Sequence, residues 1–246
     1  MDKIHLIMPM GGGGTRFGNH GFNLPKPLIP LQGKPFFYWA TKCVSDNIDV
    51  CDITFAVLKE HIERFAIDEE INKYFPEAKI CVIDHVLKGA VLTCLEGIKG
   101  INDDLPLLFN DCDHAFKSLE FDEFAKKADF ASPDGALLTF KSDNPAYSYA
   151  KFENGKVVGT IEKVVVSDEA ICGAYYFKNR KTFEKASDIY LEKCSYKEFF
   201  VSGVYNELIG LGGCVETFNV DTHVSFGTPD EYEIAVSDNR LEGLVK

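Results

Sequence analysis

Ile4-His5-Leu6-Ile7-Met8-Pro9-Met10-Gly11-Gly12-Gly13-Gly14-Thr15-Arg16-Phe17 is the stretch from which the rest of the chain is read. Ile4–Met8 is an apolar run of strand length, and it leads straight into residues without Cβ. Four successive glycines can take positive φ and let backbone N–H groups close on a polyphosphate. As a plain turn they would cost chain entropy to no purpose. Arg16 adds a bidentate donor for phosphate oxygens. Ten residues later Lys26 stands between Pro25 and Pro27, a setting that predicts an extended backbone and an ammonium with little freedom. Two rival phosphate loops are excluded by spacing. A Walker loop needs Gly-Lys followed by Ser or Thr where this chain has Thr15-Arg16, and a dinucleotide fingerprint needs its third glycine where Arg16 stands.

Outward from that loop, apolar strand-length segments alternate with helical patterns. Strands are predicted at Ile4–Met8, Asp52–Leu58, Lys79–Ile83 and Leu105–Asn110. Helices are predicted at Pro35–Ser45, His61–Phe75 and Val91–Ile98. This rhythm argues for a parallel sheet with helices on both faces. The middle of the chain changes character. Ala136–Lys141, Ser148–Glu153 and Val157–Glu162 read as short strands, and Asn154-Gly155 is a strong type I′ hairpin signal. Ala170–Lys178 is a further strand. Helices follow at Thr182–Glu192 and Phe199–Leu211, then a strand at Val215–Val220 and a helix from Asp230. The expected organisation is a single domain over 1–246, with a nucleotide-binding half to about 116 and an acceptor-binding half from about 117.

Composition narrows the partners. The 246 residues carry 38 acidic and 26 basic side chains, a formal net charge of −12. Such a surface repels phosphate backbones, which excludes nucleic acid and anionic membrane as expected partners. A small polyanion can still bind if a local cluster of donors and a metal meet it. The eight cysteines are scattered singly, with no CxxC pair and no Cys/His cluster at zinc spacing, and read as reduced thiols. The first residues lack a basic segment followed by a long apolar one, and no apolar run approaches the ~20 residues of a membrane span. The expected location is the cytoplasm.

Four further segments carry chemistry. Leu107-Leu108-Phe109-Asn110-Asp111-Cys112-Asp113-His114 is an apolar strand running into two carboxylates, the oxygen ligands that a hard divalent ion prefers. Asp111 and Asp113 share a face only if the strand continues through them. His114 is expected beside the ligands or at the surface. Gly89-Ala90 opens a helix. Glu162-Lys163 ends the hairpin, with Gly173 ten residues beyond. In Phe226-Gly227-Thr228-Pro229, Thr228 suits a helix N-cap and Pro229 the first helical position.

Taken in order, Gly11-Gly12, Gly14-Thr15-Arg16-Phe17 and Pro25-Lys26-Pro27-Leu28 resemble the signature of the sugar-phosphate nucleotidyltransferases. The resemblance implies a Rossmann-like α/β/α sandwich with a mostly parallel mixed sheet, similar to GT-A glycosyltransferases. It implies that Met10, Gly11, Gly12, Gly13, Gly14 and Thr15 hold the NTP triphosphate, that Arg16 favours the departing pyrophosphate, and that Lys26 binds phosphate near the reacting phosphorus. Gly89, Ala90 and Asp111 fall on the nucleotide side; Glu162, Lys163 and Gly173 fall on the acceptor side. Asp113 aligns best with the family's Mg²⁺ ligand, with Asp111 next. Many members carry a second metal aspartate two residues before the glycine matched by Gly227, where this chain has Ser225. Either Asp221 substitutes, or Asp113, phosphates and water hold the ion alone. The implied activity is transfer of NMP from an NTP to a small phosphorylated acceptor, foremost a sugar 1-phosphate, for surface polysaccharide assembly such as capsule or lipopolysaccharide. The alternatives are a cytidylyltransferase for phosphocholine, a polyol phosphate or an amino-acid-derived phosphate, and an idle nucleotide-sensing homologue. Homo-oligomerisation stays open.

Overall fold

A computed structural model describes residues 3–127 and 129–246. β1 (Ile4–Met10) is buried on both faces: Ile4, Leu6, Met8 and Met10 point into one core, and Ile7 into the other. That two-sided burial explains its unbroken apolar run. After the glycine loop come α1 (Thr15–Gly18), the two-residue strands β2 (Pro30–Leu31) and β3 (Lys34–Pro35), and α2 (Phe36–Ser45). The first half continues with β4 (Val50–Leu58), α3 (Lys59–Phe65), α4 (Ile67–Tyr74), β5 (Lys79–Ile83), α5 (Ala90–Gly97) and β6 (Leu107–Asn110). Next are β7 (His114–Lys117), α6 (Leu119–Lys127), β8 (Gly135–Lys141), β9 (Ser148–Glu153), β10 (Lys156–Glu162) and β11 (Glu169–Phe177). The chain closes with α7 (Arg180–Lys193), α8 (Val201–Gly210), β12 (Val215–Asn219), β13 (Thr222–Ser225) and α9 (Pro229–Ala235).

One mixed sheet crosses both halves in the order β5-β4-β1-β6-β11, with β8 and β12 beyond β11 and the β9–β10 hairpin attached at the start of β11. β1, β4, β5 and β6 are mutually parallel, and β11 is the antiparallel seam. One face is covered by α2, α4 and α6, whose Phe36, Phe37, Ile71 and Phe121 are buried there. The other is covered by α5, α7 and α8 through Val91, Phe183 and Tyr205. This is the α/β sandwich that the alternating pattern predicts. Asn154 and Gly155 both take positive φ in the β9–β10 turn. Thr228 caps α9 by accepting from the Glu231 N–H.

Several expectations need correction. The single helix expected at His61–Phe75 is two helices, broken at Ala66, where φ is 49°. The break turns the chain so that both Ile67 and Ile71 reach the core, and burying them outweighs helix continuity. Lys26 is not extended. It opens a single 3-10 turn, Lys26–Leu28, closed by the Leu28 N–H on the Pro25 carbonyl. β6 does not continue through the carboxylates: it stops at Asn110, the chain turns, and β7 starts at His114. β7 pairs with β13 in a separate ribbon, neither strand being foreseen. Among the described residues, no helix is long and apolar enough to cross a membrane.

Candidate active site

The carboxyl ends of β1 and β6 open into a cavity of about 710 Å³. Met10, Gly11, Gly12, Gly13, Gly14, Thr15 and Arg16 form one wall; Lys26, Gly89, Ala90, Asp111 and Asp113 form others. The glycines are needed for different reasons. A Cβ on Gly11 would press on Thr93 Oγ1 at 3.0 Å, Gly14 holds φ of 60° against Lys26, and a Cβ at Gly12 would meet nothing, so its backbone faces open cavity. Gly89, at φ 131°, lies so close to the Phe199 backbone that any side chain there would collide with it.

A second cavity of about 210 Å³ adjoins the first. Arg16, Ala90, Asp111, Asp113, Phe200 and Gly227 line both. Its remaining wall brings together Tyr147, Ser148, Glu162, Gly173, Ser225 and Glu231, with His114 behind. Glu162 accepts from the Ser148 hydroxyl and, at 3.1 Å, from Ser202 Oγ; Tyr147 donates to Glu231 at 2.7 Å.

Asp111 and Asp113 stand at the junction of the two cavities. Lys26 Nζ donates to Asp113 Oδ2 at 2.7 Å. Burial opposes charge on both partners, but each stabilises the other's ionised form: Asp113 is held below the usual carboxylate range and Lys26 above the usual ammonium range. Among the described residues Asp111 forms no ion pair, and the Lys26 charge offsets only part of what raises it. Burial, then repulsion from Asp113, push its carboxyl up to about 7. Among the described residues neither Asp111 oxygen receives a hydrogen bond. Gly173, at φ 100°, leaves room for this crowding, since a Cβ there would sit 3.1 Å from both Asp111 Oδ2 and His114 Nε2. Two neighbouring carboxylates, one without a donor, with open cavity on their free side, suit Mg²⁺, which takes one or two carboxylates and completes its shell with phosphate and water oxygens.

Not every expected residue comes to this place. Asp221 is exposed at the far end of β13, where its carboxylate accepts from the Leu119 N–H at 2.8 Å and its own N–H bonds to the Lys117 carbonyl. It helps start α6 and lines neither cavity, so it does not replace the aspartate absent at Ser225. Lys163 takes φ 57° and lies with its ammonium 5.2 Å from the Phe200 ring centroid, outside both linings. His114 is not at the surface. It is buried, both ring nitrogens lack partners among the described residues, and burial lowers its pKa to about 4, leaving a neutral imidazole in the wall of the smaller cavity.

Other lining residues carry no local sequence signal. Tyr147, Phe200 and Glu231 come from three distant segments and meet only through the fold. The turn chemistry of Gly227-Thr228-Pro229 accounts for the start of α9 but not for a second role of this glycine. A Cβ there would lie 2.5 Å from Asp113 Oδ2, so the glycine also makes room for that carboxylate.

The family described as nucleotidyl transferase matches residues 5–223. No sequence among curated proteins matches. A nucleoside-diphosphate-sugar pyrophosphorylase structure from Vibrio cholerae RC9 is 21% identical, with 95% of this chain and 100% of that chain covered and a TM-score of 0.81. A putative glucose-1-phosphate thymidylyltransferase from Bacillus anthracis, in complex with a sucrose, is 18% identical over 96% of each chain, with a TM-score of 0.76. An inositol-1-phosphate CTP transferase from T. maritima is 14% identical over 97% of each chain, with a TM-score of 0.74.

Proposed function

The chain belongs to the nucleotidyl transferase family, and on that premise we propose that it joins the NMP part of an NTP to a small phosphorylated acceptor, foremost a sugar 1-phosphate. Surface polysaccharide assembly is the pathway we assign to the product. One observation carries the reading: a glycine-walled cavity and a smaller polar one share Asp111, Asp113 and Arg16 at their junction.

In this arrangement the backbone from Gly11 to Thr15 takes the triphosphate, and Gly89-Ala90 lies against the base. The acceptor occupies the smaller cavity, with Glu162 and Ser148 on its hydroxyls. An acceptor phosphate oxygen attacks the α-phosphorus in line; the new P–O bond forms as the bond to the bridging oxygen breaks, and pyrophosphate leaves. A phosphate oxygen at neutral pH needs no general base. Orientation and charge neutralisation therefore set the rate. Asp111 and Asp113 are the residues to hold Mg²⁺, which would supply positive charge to the phosphates. Arg16 receives the pyrophosphate, Lys26 fixes Asp113 and reaches the phosphates, and Lys163 meets the acceptor phosphate only after leaving Phe200.

Glucose 1-phosphate and inositol 1-phosphate, named for two of the similar structures, are both hydroxyl-rich ring phosphates, which supports an acceptor of that class. A second reading is favoured by the rings of Tyr147 and Phe200 beside the carboxylates of Glu162 and Glu231: an amino-alcohol phosphate whose cation they would surround. Four NTPs crossed with sugar, polyol and amino-alcohol phosphates, reading pyrophosphate, separate the two. Pyrophosphate that appears only when Mg²⁺, one NTP and one acceptor are all present is the expected result. An NTP that binds and yields none with any acceptor would instead mark a nucleotide sensor.

A further inference from the structure

At the opposite end of the parallel sheet from the cavities, the start of β1 faces a β-bulge. Ile4 pairs with Val50 and His5 with Asp52, so Cys51 is the extra residue of β4. A bulge sets two consecutive residues against one partner and re-aims their side chains. Here Cys51 and Asp52 both turn toward His5. Asp52 Oδ1 lies 2.7 Å and Cys51 Sγ 3.1 Å from His5 Nδ1, and the sulfur and that carboxylate oxygen are 4.0 Å apart.

We propose that His5 Nδ1, Cys51 Sγ and Asp52 Oδ1 form a three-ligand site for Zn²⁺, with water as the fourth ligand and Asp103 as the positioning carboxylate. Nitrogen, sulfur and oxygen donors in one place suit zinc, whereas Mg²⁺ takes oxygen alone. Tetrahedral bonds of about 2.0 Å to nitrogen and oxygen and about 2.3 Å to sulfur set the ligand atoms roughly 3.3–3.6 Å apart. The three observed separations straddle that range, and side-chain shifts of about 0.6 Å or less reach it.

The surroundings fit a metal ligand's supporting shell. His5 Nε2 donates to Asp103 Oδ1 at 2.9 Å, and that oxygen is itself fixed by the Leu105 N–H at 3.0 Å. A second nitrogen donating to a carboxylate is what orients a ligating imidazole and leaves the other nitrogen's lone pair free. Lys79 pairs with Asp52 Oδ2, which keeps Oδ1 toward His5. The His5 ring is 5% exposed while Cys51 reaches solvent, so the ion has an entry path. An ion-pair network alone would account for His5, the two aspartates and Lys79. It needs neither the thiol nor the bulge that brings the thiol in. No sequence spacing announces the site, because its ligands are 46 and 47 residues apart and meet only through strand register.

Binding takes the place of any proton at His5 Nδ1 and ionises the Cys51 thiol, so Zn²⁺ uptake is coupled to proton release. From His5 to the glycine loop at Gly11 is about 20 Å of strand, so the site is expected to stabilise the starts of β1 and β4 and leave transfer untouched.

Co²⁺ is the probe, since a thiolate ligand gives it a near-ultraviolet charge-transfer band that carboxylate sites lack. Titrating the whole protein with Co²⁺, then displacing it with Zn²⁺, should show one such band, abolished in Cys51→Ser and retained in Cys81→Ser. Asp103→Asn, which keeps every ligand, should weaken Zn²⁺ binding by about 10- to 100-fold. Wild-type and Cys51→Ser proteins should have equal pyrophosphate-forming rates. A protein without the band, or a band that survives Cys51→Ser, overturns the site; unchanged Zn²⁺ affinity in Asp103→Asn overturns the positioning role.

Discussion

Replacing Asp111 by asparagine should stabilise the metal-free protein while removing most of its activity. Burial and Asp113 hold the Asp111 carboxyl up to about 7, so in the folded state its charge is unfavourable. An unfolded carboxyl ionises near 4, and the unfolded chain therefore binds fewer protons than the folded one through that interval. Stability falls as pH rises from about 4, and the full cost is present once pH passes about 7. At about 1.4 kcal/mol per pH unit the span is worth about 4 kcal/mol, and solvent reaching the half-buried carboxylate screens it to about 2. Asparagine has nearly the same shape and no charge. Denaturant unfolding in EDTA at pH 8 should show D111N more stable than the parent by about 2 kcal/mol, with the difference gone at pH 4. Adding Mg²⁺ should raise the parent's melting temperature markedly and the variant's much less, because the ion binds the charge that asparagine lacks. Pyrophosphate formation should drop by about 10²–10³, the loss typical of a fixed charge acting on the transition state. If D111N is less stable at pH 8, or Mg²⁺ protects both proteins equally, Asp111 is not an unpaired carboxylate awaiting a cation.

Other substitutions probe the neighbouring groups. Lys26→Ala removes Asp113's only cation partner among the described residues, and turnover should fall by about 10²–10³ in the pyrophosphate assay with the circular dichroism spectrum retained. Gly227→Ala puts a methyl against Asp113 Oδ2 and should cut turnover by about tenfold or more while the NTP still protects against thermal unfolding. His114, already neutral through this range, should contribute no inflection of its own, so His114→Phe should keep the parent's pH–rate profile between about 6 and 8 while raising KM for the acceptor more than for the NTP. Ala66→Gly relieves a left-handed alanine between α3 and α4 and should add about 0.5–1 kcal/mol in urea unfolding.

The first half of the fold is legible because its signals are local. β1 and β6 are apolar runs buried on both faces, and the glycine loop has an entropic cost that a ligand alone justifies. The two parts of the helix before β5 are not separable from sequence, since Ala66 carries no breaker chemistry and only the packing of Ile67 and Ile71 explains the turn. β7 and β13 are too short to stand out. In the site, the carboxylates were findable as the end of an apolar strand, but whether they share a face depended on a turn at residues 111–113 that the sequence does not reveal. Asp221 shows the same limit from the other side. Four residues along an extended strand is about 13 Å, enough to carry a chemically suitable side chain out of the site. Tyr147, Phe200 and Glu231 are legible only in three dimensions.

A crystal structure with Mn²⁺ in place of Mg²⁺ and an NTP whose α,β-bridge cannot break, the ion located by its anomalous signal, bears on the proposed chemistry without intermediaries. The triphosphate should lie along Gly11–Thr15, with the ion bonded to a carboxylate oxygen from each of Asp111 and Asp113 and to the α-phosphate. A nucleotide bound elsewhere, or an ion seated away from both aspartates, would contradict it.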